Sequence, residues 1–334
     1  MCFAAEAFKP PQTQNITRSI IMRKNTSVGS KESFFEKFKK DYKVNSALYI
    51  MFLPVLLYYI VFAYFPMYGI AIAFQDYNPA SGVLGSKWVG AAHFKDFFSS
   101  VYFWRLIRNT LRISLTNIVF GFPAPIILAL LINEVRNRHF KKTVQTVTYL
   151  PHFISLVVIC GMIKVFTTPG GVVYDIINYF TGEERSLLAR PEGFVPVYVI
   201  SDIWQEIGWG SIIYISALAG IDTQLYEACQ IDGGNRLHQL WHVTLPGLLP
   251  TIIIMLILRM GAVLNVGYEK IILLYNSSTY ETADVISSFT YRQGLQQFNW
   301  GYGSAVGIFN SIINLLFLIA TNYISRRCTE TSLW

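Results

Sequence analysis

Residues 222–250 read Asp-Thr-Gln-Leu-Tyr-Glu-Ala-Cys-Gln-Ile-Asp-Gly-Gly-Asn-Arg-Leu-His-Gln-Leu-Trp-His-Val-Thr-Leu-Pro-Gly-Leu-Leu-Pro. Residues 224–231 have the composition of a short helix, on which Leu225, Ala228 and Ile231 fall on one face at a spacing of three. Asp232-Gly233-Gly234 ends that helix, because glycine enters the left-handed backbone region without a steric penalty. A second helical stretch is expected to run to Leu245-Pro246, where the chain turns. The result is a polar elbow with one apolar ridge beside charged groups, the form a docking surface takes.

Outward from the elbow the chain is apolar. Upstream, residues 194–221 carry only Asp202 and Glu206 as charges, and downstream residues 248–266 carry only Arg259. A helix crossing the hydrocarbon core needs about 20 apolar residues. Four more runs meet that need: 47–65, 113–133, 143–163 (with only His152, and running on to about 166) and 303–325. Composition agrees, since 53% of the 334 residues are hydrophobic and 14% charged, against about 25% charged in an ordinary soluble domain. That excludes a disordered chain and argues against a soluble one. The expected fold class is all-α, a polytopic membrane protein with six transmembrane helices. Pro54, Pro123, Pro125, Pro151 and Pro196 lie in these runs, and each removes a backbone donor and tends to kink its helix. Gly121-Phe122-Pro123-Ala124-Pro125 is expected to be a break facing the bundle interior.

Lysine and arginine set the orientation. Residues 1–45 hold nine of them, loop 134–142 four, the elbow one and the tail two, 16 in all, while the other three loops hold eight. Both termini and the elbow are therefore expected on the cytoplasmic side. The basic N-terminal run is a topology signal lying against anionic lipid rather than a nucleic-acid site. Cys2, Cys160, Cys229 and Cys328 are too scattered for a disulfide framework or a zinc site.

Within the elbow, Glu227-Ala228-x-x-x-Asp232-Gly233-Gly234, then nine residues to Val243, then Leu245-Pro246, resembles the EAA loop of binding-protein-dependent ABC importer permeases. That family usually has alanine where Gly234 stands, phenylalanine at Leu240 and isoleucine at Val243. Asn109-Thr110-Leu111 is similar to its sugar-permease subgroup. The stretches Phe74-Gln75-Asp76-Tyr77-Asn78, 121–125, Tyr149-Leu150-Pro151-His152-Phe153 and Trp241-His242-Val243-Thr244-Leu245-Pro246 are similar to a narrower branch. That branch imports aldouronates and other uronate oligosaccharides, alginate-type sugars among them. The resemblance runs from about residue 38 to the end of the sequence.

What the resemblance implies is the transmembrane domain of a type I ABC importer in the bacterial cytoplasmic (inner) membrane, with both termini inside. It divides the chain into a basic cytoplasmic segment 1–45, a six-helix permease domain 46–326 with coupling loop 222–250, and a cytoplasmic tail 327–334. A second, homologous permease would complete the translocation path as a heterodimer. Two copies of a cytoplasmic ABC ATPase would dock on the EAA loops, and an extracytoplasmic solute-binding protein would deliver the oligosaccharide, acidic in this branch. ATP and magnesium would belong to the ATPase, and this chain would hold no cofactor or metal of its own. Glu227 and Asp232 would be the charged docking contacts, Ala228 and Gly233 positions of close approach, Gly234 a flexible point of the turn, and Leu245-Pro246 the link into the fifth span.

No GxxxxGK[ST] cradle and no Ser/His/Asp arrangement is present, so the chain itself reads as a non-catalytic subunit. Charges inside spans are costly and functional by default. Asp202 and Glu206 share a face of the fourth span one turn apart, and Arg259 on the fifth reaches similar depth, so an Arg259–Glu206 ion pair is expected. Two readings stand for this trio: a fixed bridge between spans, or path groups with Arg259 turned to an anionic sugar. Asn310 and Asn314 share a face of the sixth span, as helix glue or as sugar ligands. Loop 268–302 holds Tyr275, Tyr280, Tyr291, Trp300 and Tyr302, which suit sugar stacking and an interfacial belt alike. The competing function is a secondary transporter driven by an ion gradient, which would show inverted repeats and leave the elbow unexplained.

Overall fold

The computed structural model describes residues 34–182, 184–329 and 332–333. Most of the expected segment 1–45 and part of the tail 327–334 lie outside them. The chain forms two compact units, Met1–Met67 and Tyr68–Trp334. In the first, helix α1 (Phe34–Tyr59) bends at Asn45 and continues through a π turn, Ile60–Tyr64. Asp41 fixes the bend by accepting hydrogen bonds from the Asn45 amide at 2.7 Å and the Tyr49 hydroxyl at 2.5 Å.

The second unit opens on a short antiparallel pair, β1 (Gln75–Asp76) and β2 (Lys87–Trp88). Helices then follow in order: α2 (Ala92–Ser99), α3 (Phe103–Thr116), α4 (Pro123–Glu134), α5 (Arg138–Tyr149), α6 (Leu156–Thr167), α7 (Val172–Thr181), α8 (Pro191–Ala219), α9 (Thr223–Ile231), α10 (Leu245–Met260), α11 (Tyr268–Leu274), α12 (Ile286–Tyr291) and α13 (Trp300–Thr329). Among the described residues, five helical stretches are long and apolar enough to cross a membrane: Phe38–Phe74, Phe103–Glu134, Leu156–Thr181, Arg236–Met260 and Trp300–Arg327. The fourth expected span coincides with α8, 29 residues long, which is not among these five stretches. Asp202, Gln205 and Glu206 sit together in its middle, and three polar groups in one turn dilute its apolar character.

The third expected span is drawn differently. Residues 143–163 straddle two helices, because Pro151 lies in a 3-10 turn, Leu150–Phe153, and the chain is extended at Ile154 and Ser155. Ser155 then caps α6, its hydroxyl accepting from the Val158 N–H at 3.4 Å. The membrane-length stretch therefore begins after the break, at Leu156. The expected break at 121–125 is not formed: helix runs on from Phe103 to Glu134, with a π turn, Asn117–Gly121, between α3 and α4. Three π turns share one cause. Ile60–Tyr64, Asn117–Gly121 and Leu240–Thr244 each end two residues before a proline: Pro66, Pro123 and Pro246. Proline lacks an N–H and its ring crowds the carbonyl four residues back. The residue before each proline instead donates five residues back: Phe65 to Ile60, Phe122 to Asn117, Leu245 to Leu240. The helix is locally widened and not interrupted.

Helix α8 is the axis of the unit. Its first half packs Phe194, Val195, Tyr198 and Val199 against Ile113, Ile159, Ile271 and Leu274. Its second half packs Tyr214 and Leu218 against Ile126, Ala129 and Leu248. The segment between α10 and α13 is tied to α3 by a polar knot. Asp284 is fully buried, with Arg292 at 2.7 Å and Arg105 at 3.4 Å, and accepts from the Ser288 hydroxyl at 2.9 Å. The Asn109 amide donates to the carbonyls of Glu281 and Asp284 at 2.8 and 3.0 Å, and the Ile286 N–H donates to Thr110 at 3.0 Å. These bonds explain the buried Asn-Thr pair in an otherwise amphipathic helix: in a low-dielectric core the loop carbonyls need a donor, which Asn109 supplies, and the Ile286 N–H needs an acceptor, which Thr110 supplies.

Where α8 crosses α5, Gly208 lets the backbones meet, and a Cβ there would lie 2.1 Å from the Thr148 carbonyl oxygen. Gly208→Ala is expected to destabilise the purified protein by about 1–3 kcal/mol, the usual cost of overpacking. Gly161→Ala, which meets nothing within 4 Å, should be neutral or slightly stabilising. Thermal unfolding in detergent distinguishes the two, and equal midpoints would remove the crossing from its assigned place.

Candidate functional site

Two sites emerge, an exposed elbow and a polar cavity. The elbow begins at Asp222, whose carboxylate accepts from the Gln224 N–H at 2.9 Å and caps α9. The helix ends as expected. The N–H groups of Asp232, Gly233 and Gly234 bond back to Ala228, Gln230 and Cys229, and Gly233 takes φ +79°. Asn235 caps the next helix, accepting from the His238 N–H at 3.0 Å. Glu227, Ala228, Asp232 and Gly233 are exposed, as are Leu225, Ile231, Leu237 and Trp241. The expected apolar ridge is therefore uncovered in this chain. A Cβ on Gly234 would stand 2.5 Å from the Cys229 sulfur and 2.7 Å from its carbonyl oxygen, so an alanine would not fit here without a shift.

The expected turn at Leu245-Pro246 is absent. Helix runs unbroken from Arg236 to Met260, the π turn absorbing Pro246. Leu245 and Pro246 thus lie in a continuous rod beyond the elbow, apart from the cluster of the other five residues. Tyr226 on α9 meets Thr244 in the π turn at 3.1 Å, and Arg236 reaches Glu134 at the end of α4 at 2.8 Å. The latter pair is exposed at both ends and worth little in stability.

The polar cavity has a volume of about 380 Å³ and is lined by Asn117, Tyr198, Asp202, Glu206, Arg259 and Asn265, among others. All three expected charged residues face it, but they pair otherwise than expected. Asp202 takes Lys270 at 3.3 Å and the Asn117 amide at 2.7 Å. Glu206 takes His152 at 2.9 Å, whose ring stacks on Trp209 with centroids 4.4 Å apart and planes 2° from parallel. Arg259 forms no ion pair among the described residues, so the expected Arg259–Glu206 bridge is corrected. The break at Pro151 swings His152 to Glu206. Arg259 lies in the last turn of α10, where helix carbonyls favour a cation. Asn310 and Asn314 both donate to the Asn265 side chain, at 2.7 and 3.0 Å, and Asn314 accepts from the Leu264 N–H at 2.9 Å. They join α13 to the turn after α10, which is the glue reading.

Asn117, His152, Asn265 and Lys270 belong to the site and were not selected from sequence. His152 alone carried a signal, as the one ionisable group in its run and the neighbour of a proline. Lys270 lies four residues beyond the expected end of the fifth span, and only tertiary folding turns it back.

Comparison with known proteins places these features. Residues 121–330 match the family model described as binding-protein-dependent transport system inner membrane component. The chain is 42% identical over 288 residues to Protein LplB of Bacillus subtilis (strain 168), covering 86% of this chain and 91% of that one. It is equally 42% identical over 288 residues to the polygalacturonan/rhamnogalacturonan transport system permease protein YteP of the same organism, covering 86% and 90%. Among solved structures, it is similar to a chain of a bacterial ABC transporter involved in the import of the acidic polysaccharide alginate. There the TM-score is 0.80 with 43% identity, over 88% of this chain and all of that one. A second match is the bacterial alginate ABC transporter in complex with its alginate pentasaccharide-bound periplasmic protein, with the same score and identity.

The cavity's charge network yields a double-mutant cycle. Lys270 is buried and the Asp202 side chain only 26% exposed. Lys270→Met and Asp202→Asn are each expected to destabilise, and the double variant by less than their sum. The coupling energy should be roughly 0.5–3 kcal/mol. Additive losses in thermal unfolding would show that the two groups do not depend on each other.

Proposed function

The chain belongs to the family of binding-protein-dependent transport system inner membrane components, and on that premise we propose that it is the permease subunit of an ATP-driven ABC importer for acidic oligosaccharides. It forms half of a translocation path whose other half is a second, homologous permease, in the bacterial inner membrane. Six spans, α8 counted as the fourth, leave both termini and the elbow in the cytoplasm. An extracytoplasmic binding protein delivers the sugar, and two ATPase copies, which hold the ATP and magnesium, work the path from below.

The observation that carries this reading is the elbow's place between two helices of the cavity. Upstream stands α8 with Asp202 and Glu206, downstream the rod Arg236–Met260 with Arg259 near its end. Glu227 and Asp232 supply charged contacts to the ATPase, and Ala228 and Gly233 admit its close approach. Gly234 holds the turn tight, and Leu245-Pro246 carry the displacement into the rod. In the cavity Asp202 and Glu206 are engaged by this chain's own groups while Arg259 is not, which favours a carboxylate-bearing sugar. Substrates named for similar proteins, alginate and polygalacturonan, are uronate polymers and agree with that charge.

Reconstitution tests the reading directly. Proteoliposomes holding both permeases and the ATPase, with binding protein outside and ATP inside, should accumulate oligouronate. Uptake by this chain alone on an ion gradient would overturn the assignment.

The elbow generates a narrower test. Gly233→Pro forces φ toward −65° at a residue that needs +79°, and Asp232→Lys reverses an exposed charge. Both variants should insert in the membrane at wild-type level yet lose ATPase co-purification or sugar-stimulated ATP hydrolysis. Normal transport by both would count against the docking role.

A further inference from the structure

The aromatic side chains between residues 268 and 304 separate into two groups. Tyr302 is buried against Phe97 and Phe289, and Tyr275 packs on Tyr280 with ring centroids 4.8 Å apart. These are core residues. Tyr268, Tyr291 and Trp300 instead wall an open cavity of about 300 Å³, whose polar lining is Ser287, Thr290 and Ser304. It shares no lining residue with the 380 Å³ charged cavity, but Tyr268 also lines a cavity of about 330 Å³ with Asp202, Glu206 and Lys270, so the recess lies next to the charged groups.

Its chemistry is specific. The Tyr268 and Tyr291 rings stand 5.7 Å apart at 30°, two plates of one wall. Among the described residues, their phenol groups, the Trp300 indole N–H and the Ser304 hydroxyl make no hydrogen bond. The Ser287 and Thr290 hydroxyls donate to the carbonyls of Val266 and Ile286, at 3.0 and 2.8 Å, so their oxygens face the cavity as acceptors. Beside Trp300, with ring centroids 5.8 Å apart, Phe298 is 70% exposed and holds φ +57°, strained for a residue with a bulky side chain. A lipid belt would use aromatic rings on a convex face and leave hydroxyl groups in such a recess unused. A pyranose ring uses both features. Its C–H face lies on an aromatic plate, and its rim of hydroxyls needs donors and acceptors at the sides. The volume is at the lower end of small-molecule sites, suited to a short portion of a chain.

We propose that the recess walled by Tyr268, Tyr291 and Trp300 is a subsite for one sugar ring of the incoming oligosaccharide, ahead of the charged cavity. The inference rests on the oligosaccharide-import reading and adds a second station to it. Tyr268, Tyr291 and Trp300 supply the stacking faces, and Ser304 and the phenol groups hold the ring's hydroxyls.

The test uses the assembled importer in proteoliposomes with Leu295→Cys as reporter, since Leu295 lines the recess, is half exposed and holds none of the groups assigned to the sugar. A membrane-impermeant maleimide is applied from outside, and uptake is measured in parallel. Alginate pentasaccharide with its binding protein should slow labelling about tenfold, the factor that nine-tenths occupancy gives. Trp300→Leu should abolish that protection and Trp300→Phe should keep it. Uptake with no protection of the introduced thiol, or protection by ligand-free binding protein alone, overturns the subsite and leaves the import reading intact. Absence of uptake of both alginate and galacturonate oligosaccharides by the unmutated importer overturns the import reading, and the subsite with it.

Discussion

Two carboxylates one turn apart in the middle of an apolar helix impose the main constraint on this bundle. A carboxylate withdrawn from bulk water without a partner is costly, and Asp202 and Glu206, with side chains 26% and 45% exposed, draw donors from neighbouring elements. Asn117 comes from the π turn between α3 and α4, His152 from the break before α6, and Lys270 from the helix after α10. Each donor sits where regular helix is suspended or has just restarted. Irregular backbone near mid-membrane is tolerated only where it is buried in protein or lines a cavity, and here it does both. Prolines at 123 and 151 are thus part of the electrostatics, because they create the irregularities from which two of the three partners reach α8.

Backbone continuity follows the same logic. A proline in lipid leaves a carbonyl without its donor, and a sharp kink is one answer. The three π turns are another. Each lets the residue before the proline bond five positions back, so helix direction is kept while the turn is widened. At Asn117–Gly121 the widened turn aims a polar side chain at Asp202. At Leu240–Thr244 it keeps the elbow's second helix and α10 as one rod. One local rule therefore places a cavity-lining side chain in one place and keeps a helix continuous in another.

What was legible in the sequence divides along the range of the interactions. The elbow was readable because everything that shapes it lies within a dozen residues: the Asp222 cap, the spacing of Leu225, Ala228 and Ile231, and Gly233. The apolar runs around 113–133, 248–266 and 303–325 were readable because burial in lipid is a property of each residue. Apolarity alone hides where a helix stops, so the run at 143–163 concealed the break at Pro151, and Pro246 looked like a stop although a π turn absorbs it. The charge pairs were the least legible. Asp202 and Lys270 are 68 residues apart, and Asn109 and Glu281 172. Similar depth suggested Arg259 for Glu206, but depth says nothing of rotation about the helix axis, and His152 on its displaced turn takes the place.

Under the proposed function the elbow and the charged cavity form one mechanical system. The rod from Arg236 to Met260 has 25 residues, about 37 Å of helix at 1.5 Å per residue, and Arg259 rides near its far end. Helix α8 enters the elbow from the other side with Asp202 and Glu206 on it. Between Ala219 and Arg236 there is only the short α9 and its glycine turn. Under the proposed function, a partner that grips α9 therefore holds the hinge between the helix carrying the cavity's acids and the helix carrying its unengaged arginine. Because both helices are continuous, a change in the angle between them is carried along them and alters the separation of Arg259 from the two carboxylates. Sugar affinity would then follow elbow position through Coulomb's law, without any side chain of the cavity changing its rotamer.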